Sequence, residues 1–168
     1  MSNNKISYDD SNLQQLFAEM DVKQRMKALK GGFRKAANDF KKTAINNLRQ
    51  GIHSSKDLES GVRALVFKQK SGFRVTVGTK RGSKTSGKVY GIHTNRKGLQ
   101  KPVLIWAENG TKSRKTKGKS GHSTGRMRRY GFIAKTRDEM SATLENNLKD
   151  DLRNSIFKVA QKYGCKCK

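Results

Sequence analysis

Residues 21–50 read DVKQRMKALKGGFRKAANDFKKTAINNLRQ, and residues 136–163 read TRDEMSATLENNLKDDLRNSIFKVAQKY. In the first stretch Val22, Met26, Leu29, Phe33, Ala37, Phe40, Ala44 and Leu48 recur at gaps of three or four, which puts them on one face of a helix. Asp21 is placed to cap its start and Gly51 to end it. Unbroken, such a helix would be about 45 Å long. Gly31 and Gly32 interrupt the pattern, and predict either a bend or a close approach by another backbone. In the second stretch Met140, Leu144, Leu148, Leu152, Ile156, Val159 and Tyr163 mark the face to be buried, with Leu148 central. Thr136 and Glu139 have the spacing of a capping box, so the helix is predicted over 137–163. A shorter helix over 11–20 precedes the first, with Leu13, Leu16 and Phe17 facing inward.

Between the two long helices the period changes to two. Val62, Ala64 and Val66 alternate with Arg63, Leu65 and Phe67. Lys70-Ser71-Gly72 makes a turn, and Phe73, Val75 and Val77 continue the alternation. Residues 61–79 therefore predict a β-hairpin. The apolar run over 102–107 predicts a third strand, covered on both faces or lying in an interface, and 130–134 a short fourth. The resulting expectation is one α+β domain: two long helices flanking a small, mainly antiparallel sheet, with long basic loops. Residues 1–10 are expected to be a flexible N-terminus and 164–168 a frayed tail.

Charge is the second strong signal. The 168 residues hold 38 Lys and Arg against 13 Asp and Glu, a net of +25. Such a chain repels itself unless something acidic lies beside it: nucleic acid, an acidic protein surface or an anionic membrane. The membrane is disfavoured, because no apolar run approaches the roughly 20 residues of a spanning helix. Residues 1–10 have no apolar signal core and carry Asp9 and Asp10, so the expected compartment is the cytoplasm of the producing cell.

The charge is concentrated in two arms rich in Gly and Ser. The first, 80–101, carries Lys80, Arg81, Lys84 and Lys88; the second, 110–129, carries Lys112, Arg114, Lys115, Lys117, Lys119, Arg126, Arg128 and Arg129. From Lys80 through Arg129 there are fifteen Lys or Arg and a single acid, Glu108, a net of +14. Loops of this length are usually functional or disordered, and these are expected to be mobile until a partner orders them. Flexible cations suit a phosphate backbone, and equally suit an acidic protein surface. Zinc-finger spacing and RNP-type aromatic motifs are absent, which argues against reading of specific bases.

Catalysis and metal binding find little support. Most acids lie on the predicted helices, where they read as solvent-facing charge. His53, His93 and His122 fall in or near Gly-, Ser- and Lys-rich turns and read as surface histidines. Cys165 and Cys167 are the only cysteines and make at most half of a zinc site, so no metal and no cofactor is expected. Gly118-Lys119-Ser120 lacks the frame of a phosphate loop. Trp106 and Tyr130 read as core residues ahead of interface anchors.

Val103-Leu104-Ile105-Trp106-Ala107-Glu108-Asn109-Gly110-Thr111 resembles a family pattern of an apolar strand ending in Glu-x-Gly-Thr. After a variable loop, Gly131-Phe132-Ile133-Ala134-Lys135-Thr136 is similar to that family's short Pro-Phe-Leu-x-Pro-Ala strand leading into the last helix. With the order of helix, hairpin and closing helix, the chain over about residues 10–163 resembles the tail-completion, or neck, proteins of long-tailed bacteriophages, also described as minor tail or head–tail connector components. It departs from that pattern in lacking proline near Gly131 and Thr136, and in its longer, more basic loops. The resemblance implies a virion structural protein of the head–tail junction, made in the host cytoplasm, with no enzymatic activity. It implies a cyclic homo-oligomer around the DNA channel, with portal or adaptor, tail terminator or tail tube proteins as neighbours and DNA as a possible contact. Glu108, Gly110, Thr111 and Phe132 would be its structural motif: Gly110 permits a sharp exit, and Glu108 and Thr111 bond the turn or the adjacent Arg-rich arm. The alternative is a basic protein that binds nucleic acid without sequence specificity.

Overall fold

The computed structural model describes residues 11–78, 80–81, 89–115, 121 and 123–163. Helix α1 (Ser11–Glu19) leads into the long α2 (Val22–Gly51), and a single turn, α3 (Lys56–Glu59), follows. Then come β1 (Val62–Val66) and β2 (Phe73–Val77), β3 (Lys80–Arg81) and β4 (Val89–Tyr90), and β5 (His93–Thr94) and β6 (Gln100–Lys101). Helix α4 (Val103–Asn109), the short strands β7 (Arg114–Lys115) and β8 (Ser123–Gly125), and the long α5 (Phe132–Tyr163) complete the order.

The class is α+β, with two long helices and the strands paired as four separate antiparallel two-stranded ladders. The predicted hairpin forms with Val62 opposite Val77 and Val66 opposite Phe73. It packs on α2, whereas the most extensive packing in the molecule is α2 against α5. The two run antiparallel. The Asn47 amide donates to Thr136 Oγ1 at one end (2.9 Å), and Ser155 Oγ donates to the Ala28 carbonyl toward the other (2.7 Å).

Helix α2 is continuous through Gly31 and Gly32, so of the two expectations for this pair the close approach is the one observed. A Cβ on Gly32 would lie 2.9 Å from the backbone of Leu152, and one on Gly31 would overlap Ser155 Oγ. The buried face shifts accordingly. From Ala37 onward the predicted stripe is buried, but toward the N-terminus the buried positions are Ala28, Gly32 and Ala36. Met26, Leu29 and Phe33 are half-buried and Val22 is 75% exposed. Two backbones this close leave room only for small residues. At the helix start Asp21 makes the predicted cap and gains a reciprocal partner: Asp21 Oδ1 accepts from the Gln24 N–H, and Gln24 Oε1 from the Asp21 N–H. Gly51 is inside the last turn, and the Ile52 N–H closes it on the Leu48 carbonyl.

Two strand predictions are corrected. Residues 102–107 do not form a strand: Val103–Asn109 is helical, with Leu104 and Ala107 fully buried one turn apart. An apolar run this short fits either period, so periodicity alone does not separate the two. Residues 130–134 are not a strand either, because α5 begins at Phe132. The predicted capping box at Thr136 and Glu139 is therefore inside the helix. There Thr136 Oγ1 donates to the Phe132 carbonyl (2.7 Å), while Glu139 Oε2 accepts from Asn47 (2.7 Å).

Among the described residues two apolar clusters result. Phe40, Ala44, Leu48, Leu58, Val62, Leu104, Ala107 and Phe132 form the hub where α2, α3, α4, the first hairpin and the start of α5 meet. Leu16, Met20, Ala28, Ile156, Val159 and Ala160 form a second core at the far half of the helix pair. Between them, Arg137 to Asp150 contains no buried residue; Met140, Leu144 and Leu148 are only half-covered. Among the described residues no helix is long and apolar enough to cross a membrane.

Candidate functional site

Both basic arms spring from the hub, and each is closed at its base by backbone hydrogen bonds. For the second arm the resemblance motif makes the closure. Helix α4 ends as the Gly110 N–H donates to the Trp106 carbonyl (2.7 Å), and Gly110 takes φ 73°, which favours glycine. A Cβ there would also crowd the backbone nitrogen of Arg129 at 3.1 Å. The next residue bridges the arm: the Thr111 N–H donates to the Met127 carbonyl (3.0 Å), and the Met127 N–H donates to Thr111 Oγ1 (2.8 Å).

Glu108 turns the other way. Its Oε2 accepts the Ile133 N–H (2.9 Å), satisfying one of the donors that the first turn of α5 leaves unpaired. The Ala107 carbonyl accepts from the N–H groups of Tyr130 (2.9 Å) and Gly131 (3.3 Å). Phe132, 1% exposed, then seals the hub beneath. All four motif residues thus have structural work, and the expected pairing of Thr111 with the Arg-rich arm is direct.

Around this closure lies a concave surface of about 980 Å³, lined by Asn109 to Lys112 and Arg126 to Arg129. Lys112, Arg126, Arg128 and Arg129 converge on it from the two sides of the arm, all exposed, and no acid lines it. Further out, Arg114 pairs with Gly125 in the β7–β8 ladder and Lys115 with Ser123; Lys115 is exposed. Lys117 and Lys119 lie outside the described residues.

The first arm is anchored on α3. The Gly78 N–H donates to the Gly61 carbonyl (3.3 Å), and the Gly91 N–H donates to the Asp57 carbonyl (3.1 Å). Helix α3 is itself tied to α2. Arg49 donates Nε and Nη2 to the two carboxylate oxygens of Glu59 at 2.7 and 2.8 Å, and Ser54 Oγ donates to Oε1. The Arg49 hydrogen bond holds the Glu59 carboxyl below the usual carboxylate range, against the opposing effect of burial. In this arm Lys80 pairs with Tyr90 and Arg81 with Val89, while Lys84 and Lys88 lie outside the described residues.

The described parts of the arms form short antiparallel ladders, β3 with β4, β5 with β6 and β7 with β8. Residues 93–101 form a tight hairpin whose signal, Asn95 followed by Gly98, is legible in the sequence. The anchors Asn47, Arg49, Asp57 and Glu59 were not identified from the sequence. Each acts across elements, and no local spacing announces it.

The arrangement is suited to holding a polyanion. Lys112, Lys115, Arg126, Arg128 and Arg129 are exposed, and the single acid in the basic block is engaged with a helix N-terminus. Among the described residues no three His, Cys, Asp or Glu side chains come together as a metal-holding group. The chain matches no protein-family model, no curated protein and no solved structure.

Proposed function

We propose that this chain is a bacteriophage virion structural protein of the head–tail junction, a tail-completion or neck component that works by assembly and not by catalysis. The observation that carries the reading is the double use of Glu108 to Gly131. The segment that resembles the neck family both starts the last long helix and closes the base of the most basic arm. Such a joint fixes where the cationic arm leaves the fold, which is what an assembly protein requires of a contact. Several copies would form a ring around the DNA channel, since closed cyclic arrangements are the usual solution for repeated contacts. The arms would reach acidic surfaces of portal, adaptor, terminator or tube proteins, or the DNA end.

Cross-linking mass spectrometry on intact virions from a host carrying this gene tests it. Cross-links from Lys84, Lys112 or Lys117 to portal or tail proteins are the expected result. Absence of the chain from virions, with co-purification on RNA or the nucleoid, would replace this reading with that of a nucleic-acid-binding protein. In that case affinity should fall steeply with salt as phosphate contacts are lost.

A further inference from the structure

Helix α2 has two unlike faces. Toward α5 it presents the small residues Ala28, Gly32 and Ala36, and beside them Leu29 joins Leu13, Phe17, Leu152 and Ile156 around an open apolar groove of about 410 Å³. The opposite face is cationic. Lys23, Lys27, Lys30, Arg34, Asn38 and Lys41 recur at gaps of three and four, and the five cations lie within about 40° of the side directly away from Gly32. The line runs about 27 Å along the helix axis. Lys23, Lys27 and Arg34 are exposed, and Lys30 and Lys41 half-exposed. In all, α2 holds nine bases against one acid.

Three features set this line apart from an ordinary solvated face. Its charge is not neutralised: among the described residues none of the five cations is in an ion pair. The one acid of the helix, Asp39, lies off the line beside Lys42 (3.8 Å), and the α2 cations that pair with other elements, Lys35 with Asp151 and Arg49 with Glu59, lie off it too. The line also works against the helix that carries it, because like charges three and four apart destabilise a helix. Finally, it is held in place. Helix α2 is fixed by its packing on α5, and Lys27 Nζ donates to the Tyr163 hydroxyl (3.3 Å) and stands 5.4 Å from the centre of its ring.

We propose that this face of α2 binds the phosphate backbone of duplex DNA, its five cations on phosphates and none reading bases. The chemistry selects the partner. A protein interface has an apolar centre and is depleted in lysine, whereas no apolar side chain lies on the line from Lys23 to Lys41. A single strand is held by aromatic side chains on which its bases stack, and the line has none. A fixed row of cations fits a duplex, whose phosphates are fixed as well. Lys27 and Arg34 stand about 10 Å apart along the axis, close to the roughly 12 Å width of the B-form major groove, so the two meet phosphates on its opposite edges. The major groove of A-form RNA is too narrow for this. Bound phosphates also relieve the repulsion along the line. The inference goes beyond the reading above, since it concerns α2 and not the arms, and does not depend on a place in a virion.

The test follows binding of the full-length chain to a labelled DNA duplex of about 20 base pairs by fluorescence anisotropy across a salt series. Each phosphate contacted steepens the fall of log affinity with log salt by about 0.9. A variant carrying Lys23→Gln, Lys30→Gln and Arg34→Gln together should therefore flatten that slope by about three and bind more weakly. Its melting without DNA should match or exceed that of wild type, because repulsion along α2 is reduced. A matched variant with Lys68→Gln, Lys70→Gln and Arg137→Gln removes the same charge from exposed positions off the line, and should change the slope by less than about one. In the wild-type chain, DNA should protect Lys23, Lys30 and Lys41 from reductive methylation. Equal losses in the two variants, or no protection of those three lysines, would overturn the proposal. So would tighter binding of polyglutamate, or of an RNA duplex of the same sequence, than of DNA. A virion component that fails this test keeps its arms and loses only the α2 contact, and a chain absent from virions that passes it keeps that contact.

Discussion

The same two helices build both halves of this molecule, yet they pack by opposite means. At the hub, large side chains fill the space between elements: Phe40, Leu48, Leu104 and Phe132 are buried against one another. Cross-element hydrogen bonds from Asn47 and Glu108 add to this packing. Each fully buried Leu or Phe side chain contributes about 1.5–3 kcal/mol. In the far half α2 meets α5 through small residues, Ala28, Gly31, Gly32 and Ala36, with Ser155 bonded to Ala28, and larger side chains (Leu16, Met20, Ile156, Val159) pack only where α1 crosses the end. Small residues bring the helices close but bury little apolar area of their own. The hub therefore supplies the fixed platform from which both arms project, and the far half keeps an open groove.

The sharpest way to break that contrast is to hollow out the hub. Phe132→Ala should cost about 3–5 kcal/mol, by analogy with other large-to-small core substitutions, measured by urea unfolding. Amide exchange on the same variant would show whether α1 and residues 152–163 stay protected when the hub opens. If they do, the halves are separate cooperative units. If they do not, the far half depends on the hub.

A smaller effect is expected from Gly32→Val, which forces a side chain against the Leu152 backbone and should cost about 2 kcal/mol as an overpacked contact. Faster exchange should appear in α1 and the C-terminal half of α5 while residues 40–62 and 104–132 are unchanged. Equal loss of protection in both regions would contradict the contrast.

The smallest effect concerns pH. Glu59 has its folded pKa depressed by the Arg49 hydrogen bond, so its contribution is present above the unfolded carboxylate pKa and is lost as pH falls through the folded value. The melting temperature should therefore fall less steeply on acidification in Glu59→Gln than in wild type, by a margin below either helix substitution. Parallel curves would mean that the pair tying α3 to α2 adds nothing to stability.

Much of this architecture is legible in the sequence. Spacing of three and four places both long helices, Asp21 marks a start, and alternation from Val62 to Val77 places the first hairpin with its partners. What escapes is decided between segments. Ile133 is capped by Glu108, 25 positions earlier, so the start of α5 has no local signature and shifts to the false capping box at Thr136. Val103 to Asn109 is too short for its period to separate helix from strand. The buried face of α2 near Gly32 is chosen by how close α5 comes, and hydrophobicity points to the larger neighbours. Of the site, composition identifies the cations and the turn chemistry of Gly110 and Thr111. That Lys112 and Arg126 meet depends on Thr111 pairing with Met127 across 16 positions, which no local pattern encodes.

Both arms leave from the hub, while the acid-rich stretch of α5 runs away from it. The chain is thus a strong net cation with uneven charge: Lys80 to Arg129 holds fifteen bases against one acid, whereas α5 holds six bases against five acids. Near any polyanion it experiences a torque as well as an attraction, effective within roughly one Debye length, about 8 Å at physiological ionic strength. That torque favours approach with the Lys80–Arg129 block foremost, so part of the orientation is chosen by the field and not by the first contact.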